Sequence, residues 1–349
     1  MVTCLGIQQP DYCRGGVTPP LQRMPIIALG VLALLALTSC QKSSNEPSSP
    51  FPQTQQIASY GSLPRWSPDG QKLAFGGDGA QMGIWVYNRS TGSLTQVTDA
   101  DYPHLYDYRW SNSSDQIAFG GAGASIENTS GIFTVGLDGS DPVRWHETGH
   151  SPGWIPGDSG LVFAEEDPQS GNYGLFKLIF ADTSLTRLTY SGIDPQYSPT
   201  GVQIAYRDLL GAGTAVYQLK IMTASGATTN ILVDTCANYN WTQGGSTIVF
   251  NYATQRPGTT LIDMWISQVP AIGGAVTHIV PDAIESSVSS SGRIVYQSIY
   301  GDLSQGIYGI NLDGSDLQPI SDAGYQPAIT PDGSVIAFAK DDGIWAVGL

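Results

Sequence analysis

Charged residues are scarce in this sequence, and basic residues are the scarcest of them. Of 349 residues, 13% are charged, and 15 Lys and Arg against 30 Asp and Glu give a formal net charge of −15. A protein that binds nucleic acid needs Lys and Arg to neutralise phosphates. The composition therefore excludes nucleic acid as a partner, and we interpret the acidity as a solubilising surface charge.

Cysteine is also rare, occurring only at Cys4, Cys13, Cys40 and Cys236. The first two fall in a segment interpreted below as a signal peptide, and the third is a predicted lipidation site. Cys236 would then be the single thiol of the folded part, which excludes an intramolecular disulfide framework. Because no Cys/His motif surrounds it, we expect Cys236 to be a partly buried, unreactive thiol.

Motifs of the common catalytic classes are missing. The sequence has no G-x-S-x-G, Walker, C-x-x-C or H-E-x-x-H motif, so it predicts no catalytic residue. The segment 157–160, Gly-Asp-Ser-Gly, is similar to the nucleophile segment of trypsin-like proteases. It occupies the turn position of a repeat described below, however, and we interpret it as a turn.

No amphipathic helical pattern of useful length follows residue 40, whereas one short pattern recurs to the end of the chain. Its clearest copy is Arg65 to Phe75, where Trp66 precedes Ser-Pro-Asp-Gly and an apolar run follows. Pro, Asp and Gly in this order favour a tight turn. Each copy therefore predicts two short strands joined by that turn.

Seven copies of this pattern follow one another at steps of 44, 44, 43, 44, 47 and 41 residues. The aligned first positions are Trp66, Trp110, Trp154, Tyr197, Trp241, Val288 and Ile329. A period in the low forties with several strands per unit is typical of a propeller blade. The sequence thus predicts an all-β, seven-bladed β-propeller with four-stranded antiparallel blades.

The last copy ends after its third strand, Ile344 to Val347, so its fourth strand must come from elsewhere. Gln55 to Tyr60 lies before the first copy, where the fourth strand of a preceding blade would lie. We expect this N-terminal strand to pair with the last one and to close the ring, which leaves no unpaired sheet edge.

The N-terminal segment predicts export and a lipid anchor. The apolar run from Ile26 to Leu37 is shorter than the roughly 20 residues of a membrane span, and Leu37-Thr38-Ser39-Cys40 resembles the lipobox of bacterial lipoproteins. The expected organisation is a signal peptide over residues 1–40, starting at Met1 or Met24, a disordered tether over 41–54 and a propeller over 55–349. The resemblance implies lipidation at Cys40, and Gln41 after it implies the outer membrane.

The repeat itself also carries a resemblance. Trp-Ser-Pro-Asp-Gly, an apolar strand ending in Phe and later Leu-Thr segments resemble the WD40-like repeat of TolB and related propellers of the bacterial envelope. The resemblance spans residues 55–349 and implies fold more strongly than function. Members of this group act as binding platforms, as oligogalacturonate lyases or as the propeller part of prolyl-oligopeptidase-type peptidases.

The variable loops should share one rim of the propeller, because the two tight turns of each blade share the other. Tyrosines with scattered acids and arginines there suit a peptide or a sugar, although the same tyrosines would also serve simply to pack the loops. The candidate binding face comprises Tyr102, His104, Tyr106, His146, His150, Asp194, Arg207, Tyr239, Arg256 and Tyr325.

The leading functional interpretation is a monomeric, membrane-anchored lipoprotein whose propeller binds an envelope protein or glycan without catalysis. It predicts no cofactor and no metal. The alternative is a carbohydrate-active enzyme similar to oligogalacturonate lyase, with a metal or acid/base site in the propeller funnel formed by His104, His146 and His150. A structural scaffold without a small ligand is a third possibility.

Overall fold

The computed structural model describes residues 52–349 except 103–106, 122–129, 170, 210–215, 228, 256–261 and 300–305. Across these described residues, no helix is both long and apolar enough to span a membrane. Strands dominate, and the one helical element described is a single 3₁₀ turn, Gly79–Gln81. Cys40 and the predicted signal peptide lie outside the described residues.

Twenty-eight strands form seven four-stranded antiparallel sheets, which confirms the predicted seven-bladed propeller. The N-terminal strand is β1 (Gln55–Ala58). Blade 1 consists of β2 (Ser62–Trp66), β3 (Lys72–Gly77), β4 (Gly83–Asn88) and β5 (Leu94–Gln96), and blade 2 of β6 (Tyr108–Trp110), β7 (Gln116–Gly121), β8 (Gly131–Gly136) and β9 (Val143–His146). Blade 3 consists of β10 (His150–Trp154), β11 (Gly160–Glu166), β12 (Tyr173–Ile179) and β13 (Leu185–Arg187), and blade 4 of β14 (Ile193–Tyr197), β15 (Gln203–Leu209), β16 (Tyr217–Thr223) and β17 (Thr229–Val233).

The remaining three blades repeat the same order of strands. Blade 5 consists of β18 (Tyr239–Trp241), β19 (Thr247–Gln255), β20 (Ile262–Pro270) and β21 (Thr277–Pro281). Blade 6 consists of β22 (Ala283–Val288), β23 (Arg293–Ser298), β24 (Gly306–Asn311) and β25 (Gln318–Ser321), and blade 7 contains β26 (Tyr325–Ile329), β27 (Val335–Lys340) and β28 (Gly343–Gly348).

The N-terminal strand completes the seventh blade. β1 pairs antiparallel with β28, with Gln55 opposite Ala346 and Gln56 opposite Trp345. The sheet order is β1-β28-β27-β26, which confirms the closure predicted from sequence. The last blade therefore has a fourth strand instead of an open edge.

The two ends of the propeller differ in their connections. In an antiparallel blade, the turns from the first to the second strand and from the third to the fourth lie at one end, which we call the turn end. The connections from the second to the third strand, and from each blade to the next, lie at the opposite end, which we call the loop end. The first strand of every blade lines the axis and begins at the loop end.

The tight turns are stabilised by their own side chains. In blade 1, the Ser67 hydroxyl donates to Asp69 Oδ1 at 2.5 Å and accepts from Lys72 N at 2.9 Å, while Asp69 Oδ1 also accepts from Gln71 N at 2.9 Å. Asp69 N donates to the Ser114 hydroxyl of blade 2 at 3.1 Å. The serine and aspartate of the repeat therefore fix the turn and link it to the next blade.

The core lies between the blades, where the aromatic residue of each second strand is buried. Six of these seven residues are fully buried, and the seventh, Tyr206, is 2% exposed. The six are Phe75, Phe119, Phe163, Phe250, Tyr296 and Phe338. Burial of these repeated rings requires neighbouring blades to stack, which is the main source of stability in such an architecture.

The tryptophans of the first strands also connect neighbouring blades. The indole N–H of Trp110 donates to Arg65 O at 2.9 Å, and that of Trp154 donates to Arg109 O at 3.0 Å. Trp66 makes the equivalent bond to Ala328 O at 3.2 Å, across the junction between blades 1 and 7. These tryptophans therefore join the blades by hydrogen bonds as well as by packing.

Two of the predicted outer strands are shorter than expected, whereas β21 (Thr277–Pro281) is as long as the strand expected over Val276 to Val280. We expect strands over Leu94 to Thr98 and Leu185 to Thr189, whereas β5 and β13 end two residues earlier. The reason is that the hydroxyls of Thr98 and Thr189 accept from Ile84 N at 2.8 Å and Leu175 N at 3.2 Å. A side chain thus replaces the backbone ladder at these positions.

Candidate binding site at the loop end

In five of the seven blades, the first strand has a residue with positive φ near its start at the loop end. We call this part of a first strand, where it turns toward the axis, the axial entry of the blade. These residues have φ between 51° and 56° and are Leu63, Ser151, Asp194, Glu285 and Gln326. A bulge interrupts the strand pairing at each of them. Non-glycine residues rarely adopt this conformation, and its repetition around the ring marks a built feature of the loop end.

Four of these five residues are the third residue of a Gly-x-x-Pro segment. The segments are 61–64, 149–152, 192–195 and 324–327. At each of the four glycines φ lies between 100° and 135°, and an added Cβ would lie 2.6 to 2.8 Å from the buried ring of the second strand. Only glycine fits there. This pattern is the sequence signal for the axial entries, and it is independent of the Trp-turn motif on which the predictions above rest.

Blades 2 and 5 lack the bulge and use a tyrosine instead. The Tyr108 hydroxyl donates to Leu63 O and, at 3.2 Å, to Ala74 O. The Tyr239 hydroxyl donates to Asp194 O and, at 2.8 Å, to Ala205 O. Burial raises the pKa of both phenols. Each tyrosine thus anchors the axial entry of the preceding blade.

Side chains at the entries bond to the backbone of the next blade. Leu63 N donates to Gln326 Oε1 and Gln326 N donates to Glu285 Oε2, both at 2.8 Å. Ser151 N donates to Asp107 Oδ2. These bonds run in the same direction around the axis, so the rim of the axial opening is pre-organised.

Arg207 and Asp194 form an ion pair at the loop end. Arg207 Nε donates to Asp194 Oδ2 at 2.7 Å, and its Nη1 donates to Ala237 O. The Ser151 hydroxyl donates to the other oxygen of Asp194 at 2.7 Å. Burial alone would raise the pKa of Asp194. The Arg207 charge and the Ser151 hydroxyl outweigh that effect and hold this pKa below its ordinary value. Glu285 has no such cation within the described part of the chain, and burial raises its pKa.

Two of the cavities that open at the loop end share a lining residue. The axial cavity, of about 440 Å³, is lined by residues of six blades, among them Asp194, Arg207 and Glu285. A side cleft of about 400 Å³ lies between blades 3 and 4, with Tyr173 and Tyr217 in its wall. Arg207 lines both cavities, so a ligand can contact them together.

The side cleft combines aromatic rings with polar groups. Arg207 Cζ lies 4.8 Å from the ring centroid of Tyr217, and the His150 and Tyr173 rings pack edge to face with centroids 4.8 Å apart. Asp208, also in the wall, forms an ion pair with Lys220 at 2.6 Å. Rigid rings beside fixed charges suit recognition of a sugar or a peptide segment.

The structure brings together only some of the predicted face residues. Asp194, Arg207 and Tyr239 line the axial cavity, although Tyr239 is 5% exposed and belongs mainly to the core. His150 lines the side cleft with Arg207. His104, Tyr106 and Arg256 lie outside the described residues.

Three other predicted residues lie apart from both cavities and pack locally. Tyr102 packs edge to face on Phe119 and Phe133. His146 bonds to Glu165 Oε2 at 3.1 Å. The Tyr325 hydroxyl donates to Lys340 O at 3.3 Å. All three residues therefore take part in local packing or hydrogen bonding.

His146 and His150 belong to two separate pairs. His150 Nδ1 lies 3.8 Å from Asp107 Oδ2, whereas His146 pairs with Glu165. Among the described residues, which exclude His104, no three His, Cys, Asp or Glu side chains are placed to hold a metal ion together. Cys236 is 3% exposed, and burial raises its pKa to about 12.

Sequence reasoning missed several axial residues, above all Arg65 and Arg109. Both stand one residue before the aromatic position of the repeat, as do Gln196 and Asn240. All four line the axial cavity. The signal was available, because the residue preceding an inward-packed aromatic in a first strand lies on the opposite face, toward the axis.

Comparisons with known proteins agree with the fold. Neither a family model nor a curated protein matches the sequence. Among solved structures, oligogalacturonate lyase from Vibrio parahaemolyticus is similar over 85% of this chain and 93% of its own, with TM-score 0.67 and 14% identity. An oligogalacturonate lyase in complex with manganese gives the same values. A putative TolB from Agrobacterium tumefaciens covers 85% and 91%, with TM-score 0.53 and 15% identity. At these identities the likeness shows a shared β-propeller fold.

Proposed function

We propose that this chain is a non-enzymatic binding protein of the bacterial cell envelope, which uses its loop end to hold a protein or glycan partner. The observation that supports this most is the pair of cavities joined at Arg207. One offers fixed charges and the other offers tyrosine rings, and together they form a larger contact surface than either alone.

The arrangement of charges supports binding more than catalysis. Asp194 is held by Arg207 and Ser151, and Asp208 is held by Lys220. Carboxylates engaged in this way orient a ligand well but are poorly placed to take up and release a proton. Glu285 is the exception, because its pKa is raised and it has no cation partner among the described residues.

The binding test compares the chain lacking residues 1–40 with its variants in capture of solubilised envelope material. Replacing both Tyr173 and Tyr217 by alanine should weaken capture of a specific partner at least tenfold. Ile272→Ala, at an exposed turn-end position, is the matched control and should leave capture unchanged. Equal capture by all three proteins would contradict a loop-end site.

The lipid anchor forms a second part of the proposal. The lipobox-like segment ending at Cys40, followed by a polar stretch over 41–54, supports attachment of the propeller to a membrane, with Gln41 favouring the outer membrane. Cys40→Ser should move the protein from the membrane fraction to the soluble fraction and leave the propeller folded. Unchanged fractionation would refute lipidation.

A carbohydrate-active enzyme is the second candidate. His150 and Asp107 face each other at the loop end, and the propeller shares its fold with an oligogalacturonate lyase that has been seen with manganese. The discriminating experiment is metal analysis of the purified protein together with an assay of oligogalacturonate cleavage. Stoichiometric metal with cleavage lost in His150→Ala would favour the enzyme. Tight glycan binding without cleavage would favour the binding protein.

A further inference from the structure

Two cavities share one narrow region of the axial channel. The axial cavity of about 440 Å³ opens at the loop end, and a second cavity of about 500 Å³ lies toward the turn end. We call the region common to both the waist. It consists of the residues that line both cavities: Pro64, Arg65, Arg109, Asn240, Ser286 and Pro327.

The two cavities differ in charge. The wall of the axial cavity contains three carboxylates, Asp107, Asp194 and Glu285, together with three arginines. The wall of the turn-end cavity contains Arg65 and Arg109 and no carboxylate. Its other polar side chains are hydroxyls, amides and indoles. In a chain of net charge −15, this is a local concentration of positive charge.

Neither arginine of the waist has an anionic partner among the described residues. The guanidinium of Arg65 makes no hydrogen bond to another described residue, and its Nε is buried. Arg109 Nη1 donates to Tyr108 O at 3.1 Å. Burial and the neighbouring Arg109 charge lower the pKa of Arg65 to about 10. Arg65 Cζ lies 5.5 Å from the ring centroid of Tyr108, and the Asp107 and Asp194 charges partly offset its positive charge. Neither contact supplies a direct anionic partner for the two guanidinium groups, and a bound anion would supply one.

The opposite side of the waist offers a hydroxyl. Ser286 Oγ is buried and has no partner in the described part of the chain. The backbone around it is fixed, because Asn240 Nδ2 donates to Ser286 O at 2.7 Å. A group held at the waist would therefore meet guanidinium donors from blades 1 and 2 and a hydroxyl donor from blade 6.

We propose that the waist is a binding site for a small oxyanion, a carboxylate or phosphate group, that enters from the turn end. Two guanidinium groups neutralise such a group, and their planar N–H donors match its oxygens. The site lies where the axial cavity meets the turn-end cavity and does not include Tyr173 or Tyr217 of the side cleft, whose replacement tests the proposed function. The group is either a free anion or the end of a larger ligand.

Thermal unfolding of the purified full-length chain tests this site. Sodium phosphate and sodium acetate are titrated at constant ionic strength, with sodium chloride as the balancing salt. Phosphate, acetate or both should raise the melting temperature by about 2–4 °C per tenfold increase above the dissociation constant. A larger response to phosphate assigns the site to phosphate groups, and a larger response to acetate assigns it to carboxylates. Equal responses to chloride and to both oxyanions would overturn the proposal.

Variants separate a binding site from a general salt effect. Arg65→Met should abolish the oxyanion response and should raise the melting temperature in chloride alone, because it removes the repulsion with Arg109. Arg144→Met, at an exposed position of β9, should keep the full response. An oxyanion response retained by Arg65→Met would overturn the proposal.

A milder variant covers the case in which Arg65→Met fails to fold. Ser286→Ala removes only the hydroxyl and should weaken oxyanion binding several-fold by isothermal titration, and unchanged affinity in this variant would count against the site. The double Tyr173→Ala and Tyr217→Ala variant should keep the full oxyanion response. Failure of the anion site and failure of the proposed loop-end function are therefore observed separately.

Discussion

The turn end and the loop end of this propeller are made by the same seven repeats, yet they are built differently. At the turn end, Ser67 and Asp69 satisfy their own turn and link to the next blade. At the loop end, Gln326 accepts a hydrogen bond from Leu63 N of the next blade, and Asp194 accepts one from the Arg207 side chain. Both ends therefore link neighbouring blades, but the turn end does so through a repeated turn, whereas the loop end uses different side chains in different blades.

This difference corresponds to where the seven repeats resemble one another and where they differ. A turn that satisfies itself needs only a few fixed residue types, and these produce the regular sequence pattern. A rim that depends on neighbouring side chains differs from blade to blade, as Asn238 and Glu285 illustrate three residues before the aligned positions of blades 5 and 6. Binding specificity can accordingly change at the loop end while the ring stays intact.

The largest effect should come from the core that both ends share. Phe163→Ala removes a fully buried ring between blades and should lower the free energy of unfolding by about 3–5 kcal/mol. Chemical denaturation measures it. Ile272→Ala, 93% exposed, should change it by less than about 0.5 kcal/mol. A loss below about 1 kcal/mol for Phe163→Ala would mean that the blades do not depend on this packing.

The next effect contrasts the ion pairs of the two ends. Arg207→Met leaves Asp194 partly buried without its cation and should cost about 2–3 kcal/mol. Lys72→Met breaks the more exposed turn-end pair with Asp69, at 3.5 Å, and should cost less than about 1 kcal/mol. Equal costs would remove the distinction between the ends.

The Asp194 pair also predicts a pH dependence. Because the folded pKa of Asp194 lies below its ordinary value of 3.8, its contribution is fully present above the ordinary value and is lost as pH falls through the folded pKa. Arg207→Met should therefore lose less stability than the wild type between pH 4 and pH 2. Parallel curves for the two proteins would contradict this assignment.

A smaller effect is expected at a turn that links two blades. The Asp158 carboxylate accepts from Asn112 N at 2.8 Å and Ser113 N at 2.9 Å. Asp158→Asn keeps one acceptor and tolerates the positive φ of 55°, so it should cost about 0.5–1.5 kcal/mol. Asp138→Asn, whose carboxylate bonds within its own exposed turn, is the control and should cost less than Asp158→Asn in the same denaturation experiment.

The smallest effect has the opposite sign. Burial raises the pKa of Glu285 above its ordinary value of 4.5, so its charge opposes folding at neutral pH. Glu285→Gln keeps an acceptor for Gln326 N and should stabilise the protein at pH 7 by less than about 1 kcal/mol. The gain should shrink as pH falls through the raised pKa toward 4.5, because the wild-type carboxyl is then protonated when folded. A constant gain across pH would contradict this explanation.

The sequence predicted the ring and its closure because both follow from local signals. Turn residues repeat at a fixed spacing, and the strand from Gln55 lies where a missing fourth strand is needed. The site was predicted less completely. Asp194 and Arg207 were identified, but their pairing was not, since it depends on the positive φ at Asp194 and on the bulge in the pairing of β14 with β15. Arg65 and Arg109 were overlooked because the repeat was aligned on the tryptophans beside them.

The most direct measurement of the central claim is hydrogen–deuterium exchange of the chain with and without its captured envelope partner. The account predicts slower exchange in peptides that contain Asp194, Tyr173 and Tyr217, with turn-end peptides such as Ser67 to Gly70 unchanged. Protection confined to the turn end, or no protection at either end, would contradict the assignment of binding to the loop end.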